Sequence, residues 1–462
     1  IKMKILWMCN LILPAVAEAL SLPTIPKEGW VKGLFDAILA KKNNGTDVPE
    51  ICFAFPVSKE VLKSNGVPIK DGVVSGRVSL KGGEAVEYYG FYEDTSKEYL
   101  YDVRLEDEMK KIFDLASPDI VHIFGTEFPH TLAAAKVWNR PDRILVGLQG
   151  ICRDYAEIYT AHMPADIVTR HTFRDFLKKD SIFEQKKKYD LRADNEEEAM
   201  AYIGHVAGRT GFDKGFASRT NPSAVYHHAG ETLRSVFYSG AWNRERAEKY
   251  RIFVSQADYP LKGFHYLLKA VGEILSEKQG SGQYPDIQIY VAGQSIVGYE
   301  SLMQKIKISS YGKYLRSLME EYDLFDRVHI LGRLSAEQMK EQYLLCDTYV
   351  CCSAIENSPN SLGEAMMLQV PIVTAEVGGI PDVFKPGEDG FSYSVSAEDT
   401  LEDIAFKLKD ALLERWEADY DPKRFSNEVD RRRFNAGFHA RENHNPEKNV
   451  YDLLGIYESI YR

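Results

Sequence analysis

The stretch from Ser353 to Gly390, SAIENSPNSLGEAMMLQVPIVTAEVGGIPDVFKPGEDG, gathers residue types that handle charged and hydroxylated ligands. An apolar run at 348–352 ends in a polar loop holding Glu356, Asn357, Ser358, Pro359 and Asn360, and a helix pattern opens near Ser361-Leu362-Gly363. The first turn of a helix leaves backbone N–H groups unpaired at the positive end of its dipole, which suits a phosphate or diphosphate. Glu364 lies three residues after Ser361. That is also capping-box spacing, so a structural role for Glu364 stays open. Glu356 has no capping need in a strand-end loop. A carboxylate accepts two hydroxyl bonds side by side and so fits a vicinal diol. Two glutamates eight apart across one loop can therefore address different hydroxylated parts of a ligand.

Such a loop needs a frame. In the second half, apolar runs at 251–255, 287–292, 328–331, 348–352 and 372–375 alternate with helix patterns at 264–276, 314–322, 336–345, 361–368 and 401–413. In the first half, runs at 4–9, 51–55, 119–124 and 144–148 have helix patterns at 105–115 and 131–137 between some of them. Continuous apolar runs suit strands buried on both faces of a parallel sheet. The alternation predicts an α/β chain of two doubly wound halves with a joint near 240–250. Val450, Leu453, Leu454, Ile456 and Tyr457 fall at helical spacing and predict a closing helix.

A chain of 462 residues fits two to three domains of about 150 each. With 27 Tyr and 22 Phe it is not disordered. The net charge of -11 argues against a protein that neutralises nucleic-acid phosphate. The 6 cysteines form no CxxC pair, so a reducing compartment and a cytoplasmic location are expected. The start, Met3 to Cys9 with Ala15-Val16-Ala17 beyond, has some features of a secretory signal, but Asn10 and Pro14 interrupt it and a buried strand is the better reading. No apolar run reaches transmembrane length. The sequence has no P-loop, no GxGxxG after a strand, no HExxH and no EF-hand loop. Asp419-Tyr420-Asp421 has D-x-D spacing but follows a helix rather than a strand, and is read as a chance match.

Three other places have two readings each. Glu127, in the loop after the run ending at Phe124, is either an acceptor contact or a loop cap; His122 inside that run reads as a core histidine. Phe173, Phe176, Leu177 and Phe183 can share a helix face beside Lys178, Lys179, Lys186, Lys187 and Lys188. Residues 170–190 are then either a peripheral contact with an anionic membrane or an ordinary solvated helix.

Glu356 and Glu364 also fit the E-x7-E motif of retaining glycosyltransferase family 4, which the sequence resembles. ENSPNSLGEAM, Gly378–Asp382 (GGIPD) and Gly387–Phe391 (GEDGF) fit as well, and Tyr259-Pro260-Leu261-Lys262-Gly263 is similar to that family's KG segment. Gly29-Trp30 resembles its glycine loop, while Pro118–Glu127 and Gly208–Asp213 match more loosely. The resemblance implies a GT-B fold: two Rossmann-like domains with parallel sheets facing a central cleft. It implies an acceptor-binding domain at 1–240, a donor-binding domain at 245–430, and a segment at 431–462 packing back on the first domain.

Carried over, Lys262 holds the donor diphosphate and Glu356 contacts the transferred sugar. Glu364 binds the ribose, Asn360, Ser361 and Leu362 offer donors, and Gly29 and Gly263 allow close backbone approach. Two positions depart from the family. Gln256-Ala257 stand where an arginine is common, with Arg209 or Arg333 as compensating cations or plain ion pairs; Gln149 stands where a histidine is common. The implied activity is retaining, metal-independent transfer of a hexose-type sugar, without a cofactor, from a UDP- or GDP-sugar to a glycan or lipid-linked acceptor in surface polysaccharide synthesis. The rivals are a two-domain nucleotide-sugar epimerase, which would form product without an acceptor, and a non-catalytic glycan or nucleotide-sugar binding protein.

Overall fold

The computed structural model describes residues 3–22, 29–59, 72–80, 83–277, 284, 286–298, 301–420 and 428–462. The chain divides into two compact units. The first comprises Ile1–Arg153, Lys188–Thr232 and His444–Arg462, and the second Asp154–Lys187 and Leu233–Asn443.

The first unit's sheet contains β1 (Lys4–Cys9), β2 (Glu50–Val57), β3 (Val73–Ser79), β4 (Ala85–Tyr92), β5 (Ile120–Phe124), β6 (Ile144–Gly147), β7 (His205–Gly208) and β8 (Val225–His228). Their order is β3-β4-β2-β1-β5-β6-β7-β8. Among the described residues only β3 runs antiparallel, paired with β4. β1 lies between β2 and β5. Leu6 and Met8 point into the core on one face and Ile5, Trp7 and Cys9 into that on the other. Cover on both faces is why its sequence reads as one unbroken apolar run.

The last helix, Pro446–Tyr461, starts with Asn445 accepting from Lys448 N–H and Pro446 in its first turn, both favoured at a helix start. It lays Val450, Leu453, Ile456, Tyr457 and Ile460 on the Trp7 face. The Tyr457 hydroxyl accepts from Trp7 Nε1 at 2.9 Å and bonds His122 Nδ1 at 2.6 Å. Burial pushes the His122 pKa down to about 3, so His122 is a neutral core histidine.

The second unit's sheet contains β9 (Glu248–Val254), β10 (Gln288–Val291), β11 (Val328–Ile330), β12 (Cys346–Cys351), β13 (Ile372–Glu376) and β14 (Phe391–Ser394). The order β11-β10-β9-β12-β13-β14 is the doubly wound order, and its pairings are parallel. The topological switch point lies between β9 and β12.

The structure differs from the sequence reading in five places. Of the segment 431–462 expected to pack back on the first domain, only His444–Arg462 does so, because the helix Glu428–Asn443 belongs to the second unit. Residues 154–187, assigned from sequence to a first domain ending at 240, belong to the second unit. Specific contacts hold them there: His265 Nε2 to Ala161 O at 2.8 Å, His162 Nδ1 to Tyr266 Oη at 2.8 Å, and Ser310 N–H to Asp175 Oδ2 at 2.8 Å. Strands β3, β4, β7, β8 and β14 were missed; β3 is largely exposed, Glu87 and Gly90 interrupt the apolar residues of β4, and β7, β8 and β14 have 4 residues each, so none shows a long apolar run. Phe173 and Phe183 do not share a helix, because Lys179 at φ 51° separates Phe173–Lys178 from Ile182–Met200. The helix expected at 401–413 continues to Tyr420, so Asp419 is helical; Asp421 lies outside the described residues.

Asp419 serves Arg415, whose guanidinium is fully buried. Arg415 donates to Asp419 at 2.5 Å and to the carboxylate and carbonyl of Asp347, each at 3.0 Å. No cluster of His, Cys, Asp or Glu suited to a metal occurs among the described residues. Replacing Arg415 with leucine strands the buried Asp347 carboxylate. A loss of about 3–5 kcal/mol is expected, measured by chemical denaturation of the second unit's transition. A loss below about 1 kcal/mol would show that the pair is not holding the helix.

Candidate functional site

In a doubly wound sheet, ligands bind beyond the carboxyl ends of the strands flanking the switch point. Those ends are the loops after β9 and β12, and they hold Lys262 and Glu356. After β9 the chain makes a turn of 3-10 helix at Pro260–Lys262, passes Gly263 at φ 66°, and enters the helix Phe264–Glu277. Lys262 Nζ donates to Glu356 Oε1 at 2.5 Å, and Ser353 Oγ donates to the same oxygen at 2.8 Å. Burial works against the Lys262 charge, but Glu356 beside it prevails and holds the ammonium pKa well above its ordinary value. Lys262 is thus a fixed cation.

Two glycines explain this placement. A Cβ on Gly263 would lie 1.9 Å from the carbonyl oxygen of Cys352, just past β12. Ala354 N–H donates to Leu261 O at 2.8 Å across the same seam. A Cβ on Gly378 would lie 2.0 Å from the carbonyl oxygen of Glu356, which accepts from Gly379 N–H at 3.0 Å. Both glycines have positive φ, a conformation that L side chains disfavour. The two glycine motifs therefore grip one loop, from Cys352 to Glu356, from two directions.

The helix expected from Ser361 begins at Asn360, with Pro359 as an N-cap that offers no side-chain bond. Leu362 and Gly363 N–H donate to Pro359 O at 3.0 and 3.3 Å. Asn360 and Ser361 N–H remain as first-turn donors without an acceptor inside the helix. The Leu362 N–H, expected from sequence to offer a backbone donor, is the one bonded to Pro359 O. Asn360 Oδ1 is buried without a partner among the described residues. The Tyr349 hydroxyl ties this end to the switch point, bonding Ser361 Oγ at 3.0 Å and Ser255 Oγ, just after β9, at 3.2 Å.

Glu364 is not a cap. Arg234 Nε and Nη2 donate to its two carboxylate oxygens, each at 2.8 Å. Burial raises the Glu364 pKa to about 7 although Arg234 opposes it. The sequence reading missed Arg234; 130 residues separate the pair and no local pattern marks it. Gln256 turns its amide toward Asp258 at 3.5 Å. Arg333 is exposed.

The remaining candidates lie in the first unit. Arg209 forms an ion pair with Glu231 at 2.6 Å, and Gln149 Nε2 donates to the same carboxylate oxygen at 3.1 Å. Glu127 follows β5 at that sheet's own switch point, and its carboxylate folds back over Gly125. Burial raises its pKa, and Oε2 has no partner among the described residues. This position favours neither reading of Glu127. Nearby, burial pushes Glu196 up to about 8 while it accepts from Thr126 Oγ1 and Cys152 N–H. Gly29 opens the helix Gly29–Asn43, and 23–28 before it lie outside the described residues.

Comparison with known proteins fits this picture. Residues 240–424 match the sequence model of the family described as glycosyl transferases group 1. Spore coat protein SA of Bacillus subtilis is 28% identical over 134 residues, 28% of this chain. The match spans about a third, 31%, of that relative's length. Sucrose-phosphate synthase from Thermosynechococcus elongatus superposes with TM-score 0.65 at 13% identity, covering 100% of this chain and 99% of that one. Anabaena HepE, solved with UDP and glucose, gives TM-score 0.58 at 14% identity, covering 99% and 100%. The chain has the GT-B fold, and its second unit carries the group 1 glycosyl transferase sequence pattern.

Proposed function

We propose that this chain is a retaining glycosyltransferase. It moves a hexose-type sugar from a UDP- or GDP-sugar to a hydroxyl of a glycan or lipid-linked acceptor, in surface polysaccharide synthesis. The observation that carries the reading is the placement of Lys262, Glu356 and the Asn360–Met367 helix start at one switch point, within the stretch that matches the family.

In this reading the donor diphosphate takes Lys262 from Glu356 and lies on the Asn360 and Ser361 N–H groups. As the glycosidic bond breaks, the leaving phosphate gains charge facing donors already in position. Lys262, a compact charge with movable donors, follows it. Glu356 turns to the transferred sugar and Glu364 to the ribose hydroxyls, since each Glu364 oxygen keeps a lone pair beyond the one Arg234 occupies. Transfer occurs on one face of the sugar through an oxocarbenium-like state, and the leaving phosphate accepts the acceptor's proton. No metal or organic cofactor takes part. The support for the UDP-sugar half includes the UDP bound to HepE. Arg209 and Glu127 are proposed to contact the acceptor or a phosphate, and Gly29 to let the backbone approach the donor.

Three measurements test this. Lys262→Ala should lower kcat/KM by about 10²–10³, the range for losing one preorganised donor; turnover near the parent value would remove the leaving-group role. The second concerns pH. Below about 7 the buried Glu364 is protonated and loses acceptor capacity, so nucleotide affinity should rise by up to about tenfold between pH 6 and 8. In Glu364→Gln that increment should vanish from calorimetric titrations with UDP or GDP; an equal pH response in both proteins would clear Glu364 of ribose binding. Third, acceptor-dependent release of nucleotide should survive a chelator; loss restored by added divalent metal would overturn the metal-free mechanism.

A further inference from the structure

Two short helices of the second unit expose apolar side chains that the candidate site does not use. On Phe173–Lys178, Phe173, Phe176 and Leu177 are 63%, 74% and 64% exposed. On Leu302–Lys307, Leu302, Met303 and Ile306 are 76%, 57% and 41% exposed. The two helices pack beside each other, so these side chains form one patch. Single exposed leucines are ordinary, but a contiguous apolar patch marks an interaction surface.

The patch is firmly mounted. Thr172 and Asp175 cap the first helix reciprocally, and Asp175 also accepts from Ser310 N–H at 2.8 Å, fastening it to the helix Ser310–Glu321. Ser301 and Gln304 make the same reciprocal cap on the second helix. The backbone thus holds the apolar tips outward.

The surrounding charge is positive. Lys178 and Lys179 at the end of the first helix and Lys305 and Lys307 on the second are exposed. Three carboxylates near the first helix are taken up: Asp175 is buried, Asp180 meets Arg174 at 2.7 Å and Asp166 meets Arg170 at 2.7 Å. This local excess sits on a chain of net charge -11, so it is not a general property of the surface. Two copies of one basic face repel each other, which disfavours a dimer through it.

We propose that the face formed by residues 173–178 and 302–307 docks on an anionic phospholipid surface. The aromatic and aliphatic tips enter the boundary of the acyl region, and the lysines lie among the headgroup phosphates. The acidic remainder of the chain is repelled by the same surface, so the protein is held with this face toward the lipid. The inference concerns binding alone and does not depend on the transferase reading.

Flotation of the full chain with vesicles tests it. Binding is expected to vesicles of phosphatidylcholine mixed with phosphatidylglycerol, little to phosphatidylcholine alone, with release at high salt. Phe176→Glu combined with Leu302→Glu should weaken partitioning by about tenfold or more. The melting temperature should stay unchanged, because both side chains are exposed. Lys178→Glu with Lys179→Glu should reduce binding to the anionic vesicles. The proposal is overturned by absence of binding to anionic vesicles, by equal binding to both vesicle types, or by undiminished binding of the apolar double variant. It is also overturned if the patch instead forms a dimer, seen by sedimentation velocity as self-association lost in that variant.

Discussion

The candidate site depends on one topological constraint, the reversal of winding between β9 and β12. Strands added on either side of that point send their following loops apart, which leaves a crevice at their carboxyl ends. The loop after β9 brings a cation, and the loop after β12 brings a carboxylate and then a helix start. The Lys262–Glu356 contact at 2.5 Å is the local result. It is maintained by backbone, because Gly263 and Gly378 let two other segments approach the Cys352–Glu356 stretch more closely than any side chain allows. The KG and GG motifs thus share one mechanical task, holding a single loop still.

The second unit pairs its buried charges with care. Arg415 is paired with Asp347 and Asp419, and Arg234 forks onto Glu364. The two pairs differ in what they leave open. The Arg415 cluster is enclosed and only supports the packing of the long helix Leu401–Tyr420. Glu364 sits at a helix start beside the switch point, where a carboxyl with a pKa of about 7 can respond to what binds there. The same physical device, an arginine on a buried carboxylate, therefore serves stability in one place and is open to a binding role in the other.

In the first unit the strand ends carry buried polar groups of another kind. Glu127 follows β5, Glu196 lies in the helix Ile182–Met200, and Arg209 and Glu231 lie beyond the ends of β7 and β8. Burial raises the pKa of both Glu127 and Glu196. At Glu196, pushed up to about 8, the carboxyl form can donate as well as accept.

The sequence by itself determined which strands lie at the centre of each sheet, because burial on both faces leaves an unbroken apolar run, as at β1, β5, β9, β12 and β13. It marked Lys262, Glu356 and Glu364 through residue type, spacing and family resemblance. It did not reveal β3, β4, β7, β8 or β14, where exposure, interruption or shortness removes that signal, nor that 154–187 belong to the second unit. That assignment rests on Asp175, His162 and His265, polar residues whose partners lie more than 100 positions away. Only the tertiary structure decided that Glu364 binds Arg234 rather than capping a helix, and that Asp419 neutralises a buried guanidinium. Local periodicity reports how much of a segment is covered, whereas the partner of a charge is chosen by the fold that brings distant segments together.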